Sequence, residues 1–102
     1  MELSETGLGT TREIGVGEEL LLRLPENPTT GFRWQITCSG DGELQPLDDR
    51  FELGGDALPG SAGQRVLRFV ARKPGTVQLS AAYRRPWEPG SQPARQLTLT
   101  IR

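Results

Sequence analysis

The sequence predicts an all-β fold, an antiparallel β-sandwich of about seven strands. Three observations predict it. Five segments alternate apolar and polar residues with a strict period of two, the mark of strands that lay one face on a core. Turn signals such as Val16-Gly17-Glu18, Ser39-Gly40-Asp41-Gly42 and Lys73-Pro74-Gly75 cut the chain at short intervals. No window of helical length carries an apolar stripe of period 3.6. Each sheet must then bury its apolar face on another sheet, and seven short strands in 102 residues read as an immunoglobulin-like sandwich. Cys38 is the sole cysteine, so the architecture carries no disulfide.

In chain order, a first strand is expected from about Thr11 to Val16. The second sets Leu20, Leu22 and Leu24 against Leu21 and Arg23, and the third sets Phe32, Trp34, Ile36 and Cys38 against Arg33, Gln35 and Thr37. A fourth runs around Glu43 to Leu53, where Pro46 makes it an edge or irregular strand. The fifth alternates Leu67, Phe69 and Ala71 with Arg68, Val70 and Arg72; the sixth alternates Val77, Leu79, Ala81 and Tyr83 with Gln78, Ser80, Ala82 and Arg84. The last sets Leu97, Leu99 and Ile101 against Thr98, Thr100 and Arg102. Trp34 and Cys38 are expected in the core, Cys38 as a small buried hydrophobe at a strand end.

Three segments break the alternation and are too long for minimal hairpins: residues 25–31, 54–63 and 85–93. They follow the second, fourth and sixth strands, and in a Greek-key sandwich such connections emerge at one end. Twelve of the chain's 21 glycines and prolines fall within them. In the first, Pro28 forces Asn27 into an extended conformation, Thr29 and Thr30 are rotamer-poor, and Gly31 supplies positive φ to return the chain to Phe32. That describes either a well-made turn or a stiff wedge tipped with hydroxyls. In the second, Gly60-Ser61-Ala62-Gly63 is either a plain hairpin tip or exposed backbone for edge-on pairing with another extended chain. A phosphate cradle is excluded there, because no Lys-Ser or Lys-Thr and no helix follows. In the third, prolines flank Trp87, which either points outward as a binding anchor or folds back over the core. Arg85 is placed to stack on that ring or to pair with Glu88.

Composition excludes most catalytic architectures. There is no histidine, hence no Ser-His-Asp or Cys-His nucleophile system and no imidazole metal site. Asp48, Asp49, Glu52 and Asp56 read more simply as a solvated edge than as an acid/base cluster. The chain is read as non-enzymatic, with no catalytic residue, metal or cofactor. Residues 1–56 carry 12 acidic and 4 basic side chains, and residues 57–102 carry 1 and 8. In a sandwich the two halves interleave, so this asymmetry predicts acid–base pairing between strands rather than a nucleic-acid footprint. No apolar run reaches membrane-spanning length and the acidic start is unlike a signal peptide. The chain reads equally as cytoplasmic or as a mature domain whose leader has been removed.

Asn27-Pro28-Thr29-Thr30-Gly31-Phe32 with Trp34, then Gly60-Ser61-Ala62-Gly63, then Tyr83-Arg84-Arg85-Pro86-Trp87 resemble, in order and spacing, the three signature loops of the chagasin-like inhibitors of cysteine peptidases. The chain departs from the family's Gly-x-Gly-Gly by carrying Ala62. The resemblance implies a single inhibitor domain over residues 1–102, monomeric, acting reversibly on papain-like cysteine peptidases such as papain or cathepsin L-like enzymes. It implies that Asn27 to Phe32 enter the cleft with Pro28, Thr29, Thr30 and Gly31 over the thiolate. Gly60 to Gly63 would lie along the non-primed side, and Arg85, Pro86 and Trp87 would reach the primed side. The competing reading is a non-catalytic immunoglobulin-like module that recognises carbohydrate or a protein surface through Trp87.

Overall fold

The computed structural model describes residues 1–27, 30–53, 63–85, 87 and 94–102. Among the described residues there are eight strands: β1 (Glu2–Ser4), β2 (Thr11–Ile14), β3 (Glu19–Glu26), β4 (Arg33–Gly40), β5 (Glu43–Leu53), β6 (Gly63–Lys73), β7 (Gly75–Arg84) and β8 (Arg95–Ile101). A 3₁₀ turn, Glu5–Gly7, links β1 to β2. The strands form two four-stranded sheets, ordered β1-β3-β6-β5 and β2-β8-β7-β4. The sandwich read from the alternation is therefore present, with one strand more than expected. That extra strand is β1, whose three residues are too few to show a period.

Pairing is antiparallel except at one edge of each sheet, where β1 joins β3 and β2 joins β8 in parallel. Period two decides what lies between the sheets. Leu20, Leu22 and Leu24 of β3, Leu67, Phe69 and Ala71 of β6, Val77, Leu79 and Ala81 of β7 and Leu97, Leu99 and Ile101 of β8 form one buried cluster with Trp34. Six of those leucines are fully enclosed, and each contributes on the order of 1.5–3 kcal/mol by leaving water. The opposite face of β6 is also covered. Val66 lies in register between Arg23 and Arg50 and is buried, which fits arginine stems laid over an apolar surface with their charged heads in water.

Pro46 sits in β5, which is an edge strand as its sequence requires. The register slips between Pro46 and Asp48, leaving Leu47 exposed. Such a bulge blunts a free edge against pairing with other chains.

Cys38 is exposed, which corrects the expectation of a core position. Its parity is inward, but β4 is the edge of its sheet and β5 the edge of the other, so no described strand closes the sandwich over it. It lines an open slot with Ile36, Leu44, Leu67 and Phe69. Partial desolvation there pushes its thiol pKa up.

The charge asymmetry resolves as expected into pairs between the two halves of the chain. Arg65 meets Asp49 at 2.8 Å, Arg68 meets Glu19 at 2.8 Å, Arg95 meets Glu5 at 3.2 Å and Arg102 meets Glu13 at 2.7 Å.

Candidate functional site

The strand ends that bound the three long loops stand together. Glu26, the last residue of β3, pairs with Gly63, the first of β6, which also pairs with Leu53, the last of β5. Arg33, the first of β4, pairs with Arg84, the last of β7. The first and second loops thus leave one sheet at the same end at which the first and third join the other, as the loop order predicted.

Within the first loop, Asn27 is tied at both backbone groups. Its N–H donates to the Tyr83 hydroxyl at 3.1 Å, and its carbonyl accepts from the Thr30 N–H at 3.2 Å and the Thr30 hydroxyl at 2.8 Å. Pro28 and Thr29 lie outside the described residues. The Thr30 carbonyl accepts from Arg85 Nε at 2.8 Å. Gly31 takes φ +80°, the left-handed conformation foreseen for it, which only glycine adopts without strain.

Aromatic packing holds this loop down. Phe32 stacks on Tyr83 with ring centroids 5.3 Å apart, and Tyr83 tilts against Trp34 at 4.9 Å. Trp34 is itself buried, with its indole N–H on the Pro25 carbonyl at 2.7 Å. The Arg85 guanidinium lies 4.4 Å over the Phe32 ring, a cation–π geometry. Arg85 therefore braces the first loop from the third by stacking on Phe32; Glu88, a partner the sequence suggested for it, lies outside the described residues.

Trp87 is 68% exposed, so it is no lid on the core. One edge of its ring lies over Gly31, where an added Cβ would fall 2.9 Å from Cζ2. The first and third loops thus share a surface made of Thr30, Gly31, Phe32, Arg85 and Trp87. Pro86 is outside the described residues, as are Gly60, Ser61 and Ala62.

Gly63 is described and is not exposed backbone. It is buried between β3 and β5, and a Cβ on it would strike the Glu52 carbonyl and fall 2.9 Å from Phe51 Cε2. Both of its ladder sides are occupied, which leaves none for an added strand. It anchors the second loop from inside the sheet.

Sequence reasoning passed over one residue at the root of the loops, Glu26. It is 1% exposed, the one buried charged side chain among the described residues. Its Oε2 accepts from the Trp34 N–H at 3.1 Å and from Arg65 Nη1 at 3.2 Å, and its Oε1 lies 3.7 Å from Arg33 Nε. A carboxylate so enclosed persists because it is paired and hydrogen-bonded. The signal was available in the period. Continuing Leu20, Leu22, Leu24 inward reaches Glu26, and running Leu67 back reaches Arg65, two charges of opposite sign on one inner face.

The comparisons with known proteins fall on the same loops. Residues 13–101 match the family model described as chagasin family peptidase inhibitor I42. Chagasin of Trypanosoma cruzi is 28% identical over 100 residues, covering 92% of this chain and 89% of chagasin. Amoebiasin-1 of Entamoeba histolytica is 30% identical over 103 residues, covering 99% of this chain and 97% of its own. The crystal structure of the cysteine protease inhibitor EhICP2 from Entamoeba histolytica superposes with a TM-score of 0.85 at 27% identity, over 99% of this chain and 94% of that one. The matched region runs from β2 to the last residue of β8 and takes in all three loops, and on that ground the chain belongs to the chagasin family of peptidase inhibitors.

Proposed function

We propose that this protein is a reversible inhibitor of papain-like cysteine peptidases and that residues 1–102 act as one monomeric domain, filling the enzyme's cleft with the three loops. The observation that carries this is the bracing of the first loop. Tyr83 holds the Asn27 N–H, Arg85 holds the Thr30 carbonyl and Trp87 covers Gly31. A wedge fixed before contact loses little conformational freedom on binding.

The same bonds would keep the loop from being turned over as a substrate. A papain-like enzyme attacks a carbonyl presented to its thiolate and oxyanion donors. The Asn27 and Thr30 carbonyls, which flank the tip, are already held by Thr30 and Arg85. In this reading Asn27 to Phe32 occupy the cleft over the catalytic cysteine, with Arg85, Pro86 and Trp87 on the primed side. Gly60, Ser61 and Ala62 run along the non-primed side from their anchor at Gly63. The inhibitor supplies no catalytic group; the histidine and cysteine of the reaction belong to its target.

A carbohydrate-binding module would use the same Trp87 ring but gives the braced loop no task. The test is a titration of papain or a cathepsin L-like enzyme with the protein. The proposal expects loss of activity with an apparent dissociation constant well below micromolar. Unchanged activity at micromolar protein would overturn it.

A further inference from the structure

The register of β4 against β7 sets Arg33 directly opposite Arg84, and like charges in that relation destabilise a sheet. Elsewhere in the molecule arginines of the second half meet acids of the first, as Arg68 does Glu19 and Arg102 does Glu13. Here the matching stops. Arg33 meets its acids only at a distance: its Nε lies 3.7 Å from Glu26 Oε1, the oxygen left free by Arg65 and the Trp34 N–H, and its charge also reaches Asp49, whose hydrogen bonds come from Arg65. Arg84 forms no ion pair or hydrogen bond among the described residues, and its Nε is buried without an acceptor. Buried donors are almost always satisfied in folded proteins, and one that is not calls for a reason.

The enclosed Nε is out of reach of an outside partner, but the terminal nitrogens of Arg84 are not among the buried atoms, and they stand where a partner would come. Arg33 directly follows Phe32 and Arg84 directly precedes Arg85, so the pair stands at the root of the first and third loops, beside the surface formed by Thr30, Gly31 and Trp87. A guanidinium offers donors in a planar fork that matches a carboxylate. Resting on the inhibitor reading above, we propose that Arg33 and Arg84 form a docking point for an acidic side chain on the rim of the target peptidase, on the side contacted by the third loop. The pair selects peptidases that carry a carboxylate there and speeds their capture.

A rim charge acts mainly through the association rate and its salt dependence. The test measures association rate constants of wild type, Arg84→Gln and Arg84→Lys with papain and with a cathepsin L-like enzyme. Salt is varied from about 20 to about 500 mM, over which screening contracts from tens of ångströms to a few. The wild-type rate is expected to fall with salt for at least one of the two enzymes. With that enzyme, Arg84→Gln lowers the low-salt rate by at least about threefold and flattens the slope. Arg84→Lys, which keeps the charge, retains most of the rate. Thermal unfolding of each variant separates lost charge from lost fold, and the wild-type salt response needs no variant at all. A rate insensitive to salt with both enzymes, or an Arg84→Gln slope equal to wild type, overturns the inference while inhibition itself stands. Absence of inhibition by the wild type strikes the inhibitor reading and this inference together.

Discussion

Replacing Gly31 by alanine tests the brace between the first and third loops. Two costs follow from the structure. At φ +80° an L-residue carries a penalty of roughly 1–2 kcal/mol. The new methyl would also fall 2.9 Å from Trp87 Cζ2 and closer still to Cη2, so either the ring or the loop must give way. Both routes lead out of the binding conformation. If the loop relaxes, the competent fraction falls by the strain relieved, which is about tenfold in apparent affinity for each 1.4 kcal/mol. If Trp87 is displaced as well, a residue of hot-spot type adds about 2 kcal/mol. Gly31→Ala is therefore predicted to raise the inhibition constant against papain by about tenfold from the loop alone, and by more than about a hundredfold with the ring displaced. The core lies below the loop and is untouched, so the unfolding midpoint should stay close to wild type. Tight-binding titration and a thermal melt on the same preparation supply both readings. An inhibition constant within twofold of wild type would refute the reasoning.

Three further outcomes are expected. Trp87→Ala should weaken inhibition by about 2 kcal/mol or more with little change in melting temperature, since the ring is largely exposed; a large loss of stability would place its role in the fold instead. The Asp49 carboxyl is held below the usual carboxylate range, first by its hydrogen bond from Arg65, so its stabilising contribution is present above the unfolded value near about 4 and is lost as pH falls through the folded value. Asp49→Asn should accordingly cost at most about 1 kcal/mol near neutral pH, because the pair is partly exposed, and should make the acid limb of urea stability shallower; an unchanged acid limb would count against the pairing. Cys38 should alkylate fully in the folded protein, at a rate still climbing near about pH 9, without loss of inhibition. A thiol that resists native alkylation would restore the core placement.

How much was legible in the sequence depended on whether period two applied. It located β3, β4, β6, β7 and β8 and put Trp34 inside, and proline and glycine spacing located the loops. It did not reveal β1, which is held to β3 by a parallel ladder only three residues long. It misplaced Cys38, because parity tells which face a residue takes but not whether an edge strand leaves that face uncovered. Gly63 reads like the glycines before it, yet the approach of Phe51 and the Glu52 carbonyl makes it interior, a contact set by β5 ten or more residues upstream. Arg85 was read only against its own loop, and its contacts with Phe32 and the Thr30 carbonyl, more than fifty positions away in the chain, carry no local signal. Glu26 and Arg65 were legible and overlooked, since each continues an inward run with a charge of the sign the other needs.

The central claim, that a pre-braced loop fills a papain-like cleft without being cleaved, is tested most directly by incubating the protein with papain, fitting the inhibition pattern against substrate, and weighing the recovered chain. The account predicts competitive inhibition at a stoichiometry of one to one and an intact chain of 11.2 kDa. Non-competitive inhibition, or a cut between Asn27 and Gly31, would contradict it.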